Sequence, residues 1–175
     1  MKNKSIILAI SLMSLLFINH VAFGQSKSRQ ELCNSLVNSI KDKNLDAFKA
    51  LLLPREVAFE LYENGLSEDI GKEERDSQMT QYQSVYENTI VPRYEKNFWD
   101  IVNLSTDHHI NWSNLDFFLL YKYESKIDQY DPYLIHSRLS NADYKHFYIN
   151  AVRYKDAWYL EDKMEITRGE KYAAK

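Results

Sequence analysis

The chain predicts an α+β fold, with N-terminal helices packed on a curved, four-stranded antiparallel meander sheet. Three observations carry this. Apolar residues recur at spacings of three and four through about residue 101, and the period changes after Asn103. From there on, runs rich in Tyr, Phe, Ile and Val are separated by short polar links. The last regular stretch, residues 146–166, reads as a β-hairpin whose second arm alternates: Trp158, Leu160, Met164 and Ile166 fall on one side, and Tyr159, Glu161, Lys163 and Glu165 on the other. A sheet of this kind is expected to have one wet face and one covered face, with the helices as the cover.

At the start, Lys2 and Lys4 precede an apolar run over residues 6–18, and Val21, Ala22, Phe23 and Gly24 lead to the polar Gln25. Positive, then apolar, then small residues make a secretory signal peptide, and the run is shorter than the roughly 20 residues of a membrane-spanning helix. Cleavage is expected after Gly24, making residues 1–24 the signal peptide. Residues 25–175 then form a single domain, secreted or periplasmic, with no membrane span after cleavage. The alternative is a retained N-terminal anchor. A lipid anchor needs a cysteine directly after the apolar run, and the only cysteine, Cys33, lies well beyond it.

Removing the two lysines of that segment from the 22 basic residues leaves 20 against 25 acidic ones, and 20 − 25 is a formal charge of −5. A mildly acidic chain without a basic run argues against nucleic acid or an anionic membrane as partner. One thiol cannot close an internal disulfide, so stability must come from the core. Cys33 sits among Leu32, Leu36, Val37 and Ile40 at helical spacing and reads as a small buried apolar side chain.

The elements follow in order. Ser28 to Glu31 matches a capping box, in which the Ser28 hydroxyl accepts from the Glu31 amide and the Glu31 carboxylate returns to the amide of Ser28. Asn44 caps a second, short helix that stops at Pro54. A third helix runs from about Arg55 to Glu63, with Gly65 as its left-handed terminator. Residues 67–78 are charged and read as a loop or the solvated start of the next helix. Met79, Tyr82, Tyr86 and Ile90 form a stripe that Tyr94, Phe98 and Ile101 continue past Pro92, where one long helix kinks or a second begins. Strands are expected over residues 115–125 and 133–140, the latter entered by a turn at Asp131-Pro132, before the terminal hairpin. The hairpin's register depends on its loop. A two- or four-residue loop puts Phe147, Ile149 and Ala151 on the face of Trp158 and Leu160, whereas three residues put Val152 and Tyr154 there. Lys155-Asp156-Ala157 has no glycine for a tight turn, which favours a longer loop.

The stretch Leu36 to Phe48, the helices that follow it and a closing hairpin with Asp156 and Trp158 resemble the NTF2-like superfamily. Residues 110–117, Ile-Asn-Trp-Ser-Asn-Leu-Asp-Phe, resemble the sheet entry of its small secreted members of unknown function. Ala157 stands where the family's hairpin tip often has glycine. The resemblance implies a cone-shaped sheet around a long helix with a cavity inside, and homodimers through an exposed sheet face. It leaves the content of the cavity open, because the fold hosts enzymes and plain binding domains alike.

Three well-separated glycines beyond the signal segment exclude a phosphate-binding loop or dinucleotide fingerprint, and no Gly-x-Ser-x-Gly or His-Glu-x-x-His motif is present. No cofactor and no metal is therefore expected. Adjacent His108 and His109 point apart on an extended segment and read as a polar surface loop. Asp162 falls by alternation on the covered side with Trp158 and Leu160, where a carboxylate must be paired or hydrogen-bonded. It could serve as a general base with Tyr121 or His136 as donor, in a small cofactor-free isomerase or dehydratase. A bulge near Glu161-Asp162, or an ion pair to Arg153 or Arg138, accounts for it equally. Thirteen tyrosines supply apolar rings with wet hydroxyls. The leading expectation is thus a binding or interaction domain, with a small apolar ligand or a protein as partner. Its pocket, between the sheet and residues 79–101, is expected to involve Tyr82, Tyr86, Phe98, Tyr121, His136, Trp158 and Asp162. Cross-strand aromatic packing is the ligand-free explanation of the same tyrosines.

Overall fold

The computed structural model describes residues 26–172, the side chain of Asp162 apart. The expected signal peptide and its cleavage point lie outside the described residues. Among the described residues, five α-helices precede four strands: α1 Arg29–Lys41, α2 Leu45–Lys49, α3 Arg55–Asn64, α4 Lys72–Val85 and α5 Val91–Asp107, then β1 Phe118–Lys122, β2 Tyr130–Arg138, β3 His146–Tyr154 and β4 Ala157–Thr167. The strands pair antiparallel in the order β1-β2-β3-β4, the meander that the sequence predicts.

The helix ends follow local chemistry. The Ser28 hydroxyl accepts from the Glu31 amide at 3.2 Å, but the returning Glu31 carboxylate takes the amide of Lys27, at 2.8 Å, instead of that of Ser28. Asn44 caps α2 by accepting from the Ala47 amide at 2.9 Å. Gly65 does not turn left-handed. Its φ is −80°, and its amide bonds the Leu61 and Tyr62 carbonyls, so the right-handed spiral simply runs out there. Between α4 and α5 the helix does not break: Tyr86–Ile90 widen into a π-helical turn just before Pro92. Proline cannot donate to the preceding turn, and the wider turn carries the chain past it.

The terminal hairpin closes on Lys155-Asp156 alone, since Tyr154 pairs with Ala157. The longer loop expected from the missing glycine is not used. Lys155 itself takes the left-handed conformation (φ 54°), its amide held by the Gln129 carbonyl at 3.0 Å and its ammonium 4.7 Å from the Tyr154 ring centre. The even loop sets the register: Phe147, Ile149 and Ala151 share the inner face with Leu160, Met164 and Ile166. Leu32, Leu36 and Ile40 of α1, Phe48 of α2 and Phe98 and Ile101 of α5 pack on this face. Phe48 and Phe98 stack at 4.8 Å in its centre.

Pro132 lies inside β2 and not in a turn before it. The cost is small, because the side from which it would donate is where β1 ends, and only its carbonyl is used, by the Tyr123 amide at 2.9 Å.

The outer edge of β4 is covered at three points. Trp158 donates its amide to the Ser26 carbonyl at 2.9 Å, and Leu160 to that of Leu51 at 2.8 Å. Farther on, the Asn97 side chain of α5 acts as a strand: its Nδ2 donates to the Met164 carbonyl at 3.0 Å and its Oδ1 accepts from the Met164 amide at 2.8 Å. The chain at residues 51–54 thus crosses this edge and delivers α3 to the other face of the sheet. There Leu61 packs with Val152, Tyr154 and Tyr159, all buried. The expectation of one wet face is corrected accordingly: the hairpin half of the outer face is roofed too. Alternation reports which residues share a face, and it is silent on what crosses the edge.

Candidate functional site

The roof over the outer face holds a cavity. α3 meets α4 and the π turn through rings: Tyr62 lies parallel to Tyr82 at 4.0 Å, and Phe59 meets Tyr82 and Tyr86 edge-on at 5.2 and 5.5 Å. The Arg55 guanidinium covers Phe59 at 4.4 Å and pairs with Glu87 at 3.2 Å. Tyr82 of α4 and Tyr86 of the π turn are half-buried, with open space between them and the sheet. The space measures about 320 Å³. Leu53, Ala58, Leu61, Ile90 and Ile127 give it an aliphatic floor, and Tyr62, Tyr82 and Tyr86 an aromatic wall. Burial raises the pKa of Tyr82, as do the neighbouring Tyr86 and Tyr62 hydroxyls; burial also raises that of Tyr86. Both phenols therefore stay neutral at physiological pH.

At one end the lining turns polar. Arg93, Tyr130 and Glu161 meet there, and the Tyr130 hydroxyl donates to the Glu161 carboxylate. The same three residues also line a second chamber of about 540 Å³, which continues past Tyr123 and Asn150 over the middle of the sheet. They form a waist between two chambers.

Glu161 is positioned by a bulge. Leu160 pairs with Ala151 and Met164 with Ile149, so Glu161, Asp162 and Lys163 together oppose the single residue Asn150. This is the bulge that the sequence offers as the alternative to a catalytic Asp162. The carboxylate facing the cavity belongs to Glu161, placed by alternation with Tyr159 on the side expected to be wet. The side chain of Asp162 lies outside the described part of the molecule.

The other expected residues are distributed as follows. Tyr82 and Tyr86 line the inner chamber. Phe98 is wholly buried against Phe48 in the inner core and lines neither chamber, because the stripe it continues turns with α5 toward the opposite sheet face. Trp158 packs on Tyr133 at 5.0 Å beside the closed edge. Tyr121 is exposed on β1, edge-on to Tyr123 at 4.8 Å. His136 is 4% exposed, its Nε2 2.9 Å from Nδ1 of His146 and its ring stacked on Tyr148 at 4.7 Å. Tyr121 and His136 therefore line neither chamber, although Tyr121 packs on Tyr123, which lines the second. Arg93, Tyr130 and Glu161 escape a reading by period, since each belongs to a polar side that becomes a lining only once α3 has crossed the edge.

Comparison with protein-family models, curated proteins and solved structures finds no match.

His108 and His109 close α5. The His108 carbonyl accepts from Asn141 at 2.8 Å and its ring meets Tyr144 at 4.7 Å, while His109 takes a left-handed φ of 49°. No group of three or more His, Cys, Asp or Glu among the described residues could hold a metal ion, and no helix among them is long and apolar enough to cross a membrane. Cys33 is fully buried on the core side of α1, and burial pushes its thiol up to about 12.

Proposed function

We propose that the chain is a secreted or periplasmic NTF2-like binding domain that holds a small apolar ligand in the aromatic cavity between α3, the π turn and the outer sheet face. The lining carries this reading. A half-open aliphatic and aromatic space with one small convergent set of polar groups has the composition of a ligand pocket. The apolar segment at residues 6–18, followed by small residues, supports export. Helices preceding an antiparallel sheet with a closing hairpin support the NTF2-like assignment. Catalysis has less support, because Tyr121 and His136, the donors that Asp162 would need, line neither chamber.

Titration with the uncharged dye Nile red tests the binding reading. Saturable, blue-shifted emission at one dye per chain is expected, and Ala58→Trp, which fills the floor, should abolish it while the circular dichroism of the fold is retained. Equal dye binding by a folded Ala58→Trp variant would remove the cavity from the account.

A further inference from the structure

We infer that the half of the outer sheet face left open by α3 is a recognition site for a peptide carrying a basic residue followed directly by an aromatic one, and that the chain's own Lys171-Tyr172 fills it in cis. The site is separate from the cavity and stands whether or not the cavity holds a ligand. β4 ends at Thr167, whose hydroxyl donates to the Gly169 carbonyl at 2.7 Å, and residues 168–172 fold back onto the sheet. The contacts that tie this segment to β3 and β4 come from two neighbouring residues. The Lys171 amide donates to the Tyr148 hydroxyl at 3.2 Å, and the Lys171 ammonium meets both carboxylate oxygens of Glu165, at 2.9 and 2.7 Å. The Tyr172 ring stands edge-on to that of Tyr148 at 4.9 Å. Tyr148 and Glu165 are cross-strand partners, so one pair of strand residues reads a backbone amide, a cation and a ring.

Platform and segment differ in how firmly they are held. Tyr148 is buried and stacks on His136 at 4.7 Å, and both it and Glu165 are fixed by strand pairing, as a preorganised site requires. The segment has no such support. Arg168 to Lys171 are exposed, no residue over 168–172 belongs to either apolar core, and an ion pair as exposed as that of Lys171 contributes little. A stretch with so few buried apolar contacts opens at small cost, and opening it uncovers Tyr148 and Glu165 together for the same contacts from another chain. Further rings lie beside them. Phe118, on the His136 ring, is exposed, as are Tyr121 and Tyr123. Burial raises the Tyr123 pKa and the nearby Tyr172 hydroxyl adds to the rise, which places Tyr172 at the end of this row. A partner longer than two residues therefore continues onto aromatic surface.

Titration of the end-blocked peptide Arg-Gly-Glu-Lys-Tyr, the sequence of residues 168–172, into the isotope-labelled chain tests this through amide chemical shifts. In the full chain carrying Lys171→Glu and Tyr172→Ala the cis segment is released, and the peptide should shift the Tyr148 and Glu165 amides saturably, at one peptide per chain. The unmutated chain should need about tenfold more peptide or beyond, because its own segment competes at an effective concentration on the order of millimolar. A peptide ending in Ala-Ala should bind the released chain about tenfold or more weakly. Adding Glu165→Gln, or Tyr148→Phe, which keeps the ring and removes the acceptor, should weaken the Lys-Tyr peptide about threefold. No saturable shift in a released chain whose spectrum is that of a folded protein, or an equal response to the Ala-Ala peptide, overturns the inference. So does a peptide that binds the unmutated chain as readily as the released one, since the site would then not be filled in cis. If the double substitution unfolds the chain, Tyr172→Ala alone carries the same comparisons.

Discussion

The most informative single residue is His136. Its imidazole is covered by Tyr148 and by Phe118, which meets it edge-on at 4.7 Å, and it shares a hydrogen bond with His146. Burial, with His146 and Arg138 nearby, depresses its pKa from 6.5 to about 4, against the opposing pull of Glu170. The unfolded chain therefore binds a proton at His136 that the folded chain refuses between those two values. Stability from this site is complete above pH 6.5 and is lost as the pH falls toward 4. The thermal midpoint should drop over that window, and His136→Phe, which keeps a ring in the stack, should flatten the drop. Cys33 gives a second expectation at this scale. A buried thiol pushed up to about 12 is not a nucleophile, so a thiol reagent should label it only as fast as the chain unfolds. Its buried, apolar character was legible in the helical spacing of its neighbours. The pairing of His136 with His146 was not, because it depends on the register between β2 and β3, which the irregular link over residues 139–145 sets.

Among the elements, the junction of α5 with β4 depends on Asn97. Its carboxamide replaces a neighbouring strand for Met164, just past the bulge that aims Glu161 at the cavity. Asn97→Ala should cost about 1–3 kcal/mol in urea denaturation, two hydrogen bonds and a strand amide left without its partner. Asn97→Asp keeps the acceptor but sets a carboxylate against a carbonyl, and should recover little of that loss. Element type and order were readable in the chain from a capped α1, a short α2 after Asn44 and alternation in β4, whereas the change of period after residue 103 comes before α5 ends, at Asp107. Two local rules failed where tertiary contacts outweighed them. Lys155 serves where a tight turn would take glycine, because Gln129 and Tyr154 hold it there. Pro132 sits within a strand because β1 has run out beside it.

At the scale of the whole molecule, the sheet is covered on its inner face by α1, α2 and α5 and on the hairpin half of its outer face by α3, with the cavity beneath the α4 wall. Alternation sorted the side chains of β4 between the two faces but wrongly left one of them wet, and Tyr82 and Tyr86 were legible from their stripe. The crossing at residues 51–54 was not, since it rests on backbone bonds to the β4 edge that no side-chain pattern reports. Everything claimed for Arg93, Tyr130 and Glu161 follows from that crossing. A double-mutant cycle on Leu61 and Val152 tests it most directly. Leu61→Ala should destabilise the chain by about 2–5 kcal/mol as a buried leucine does, and combined with Val152→Ala should show a coupling of about 0.5–3 kcal/mol. A cost within about 0.5 kcal/mol and no coupling, the behaviour of an exposed leucine, would mean that α3 does not roof the sheet.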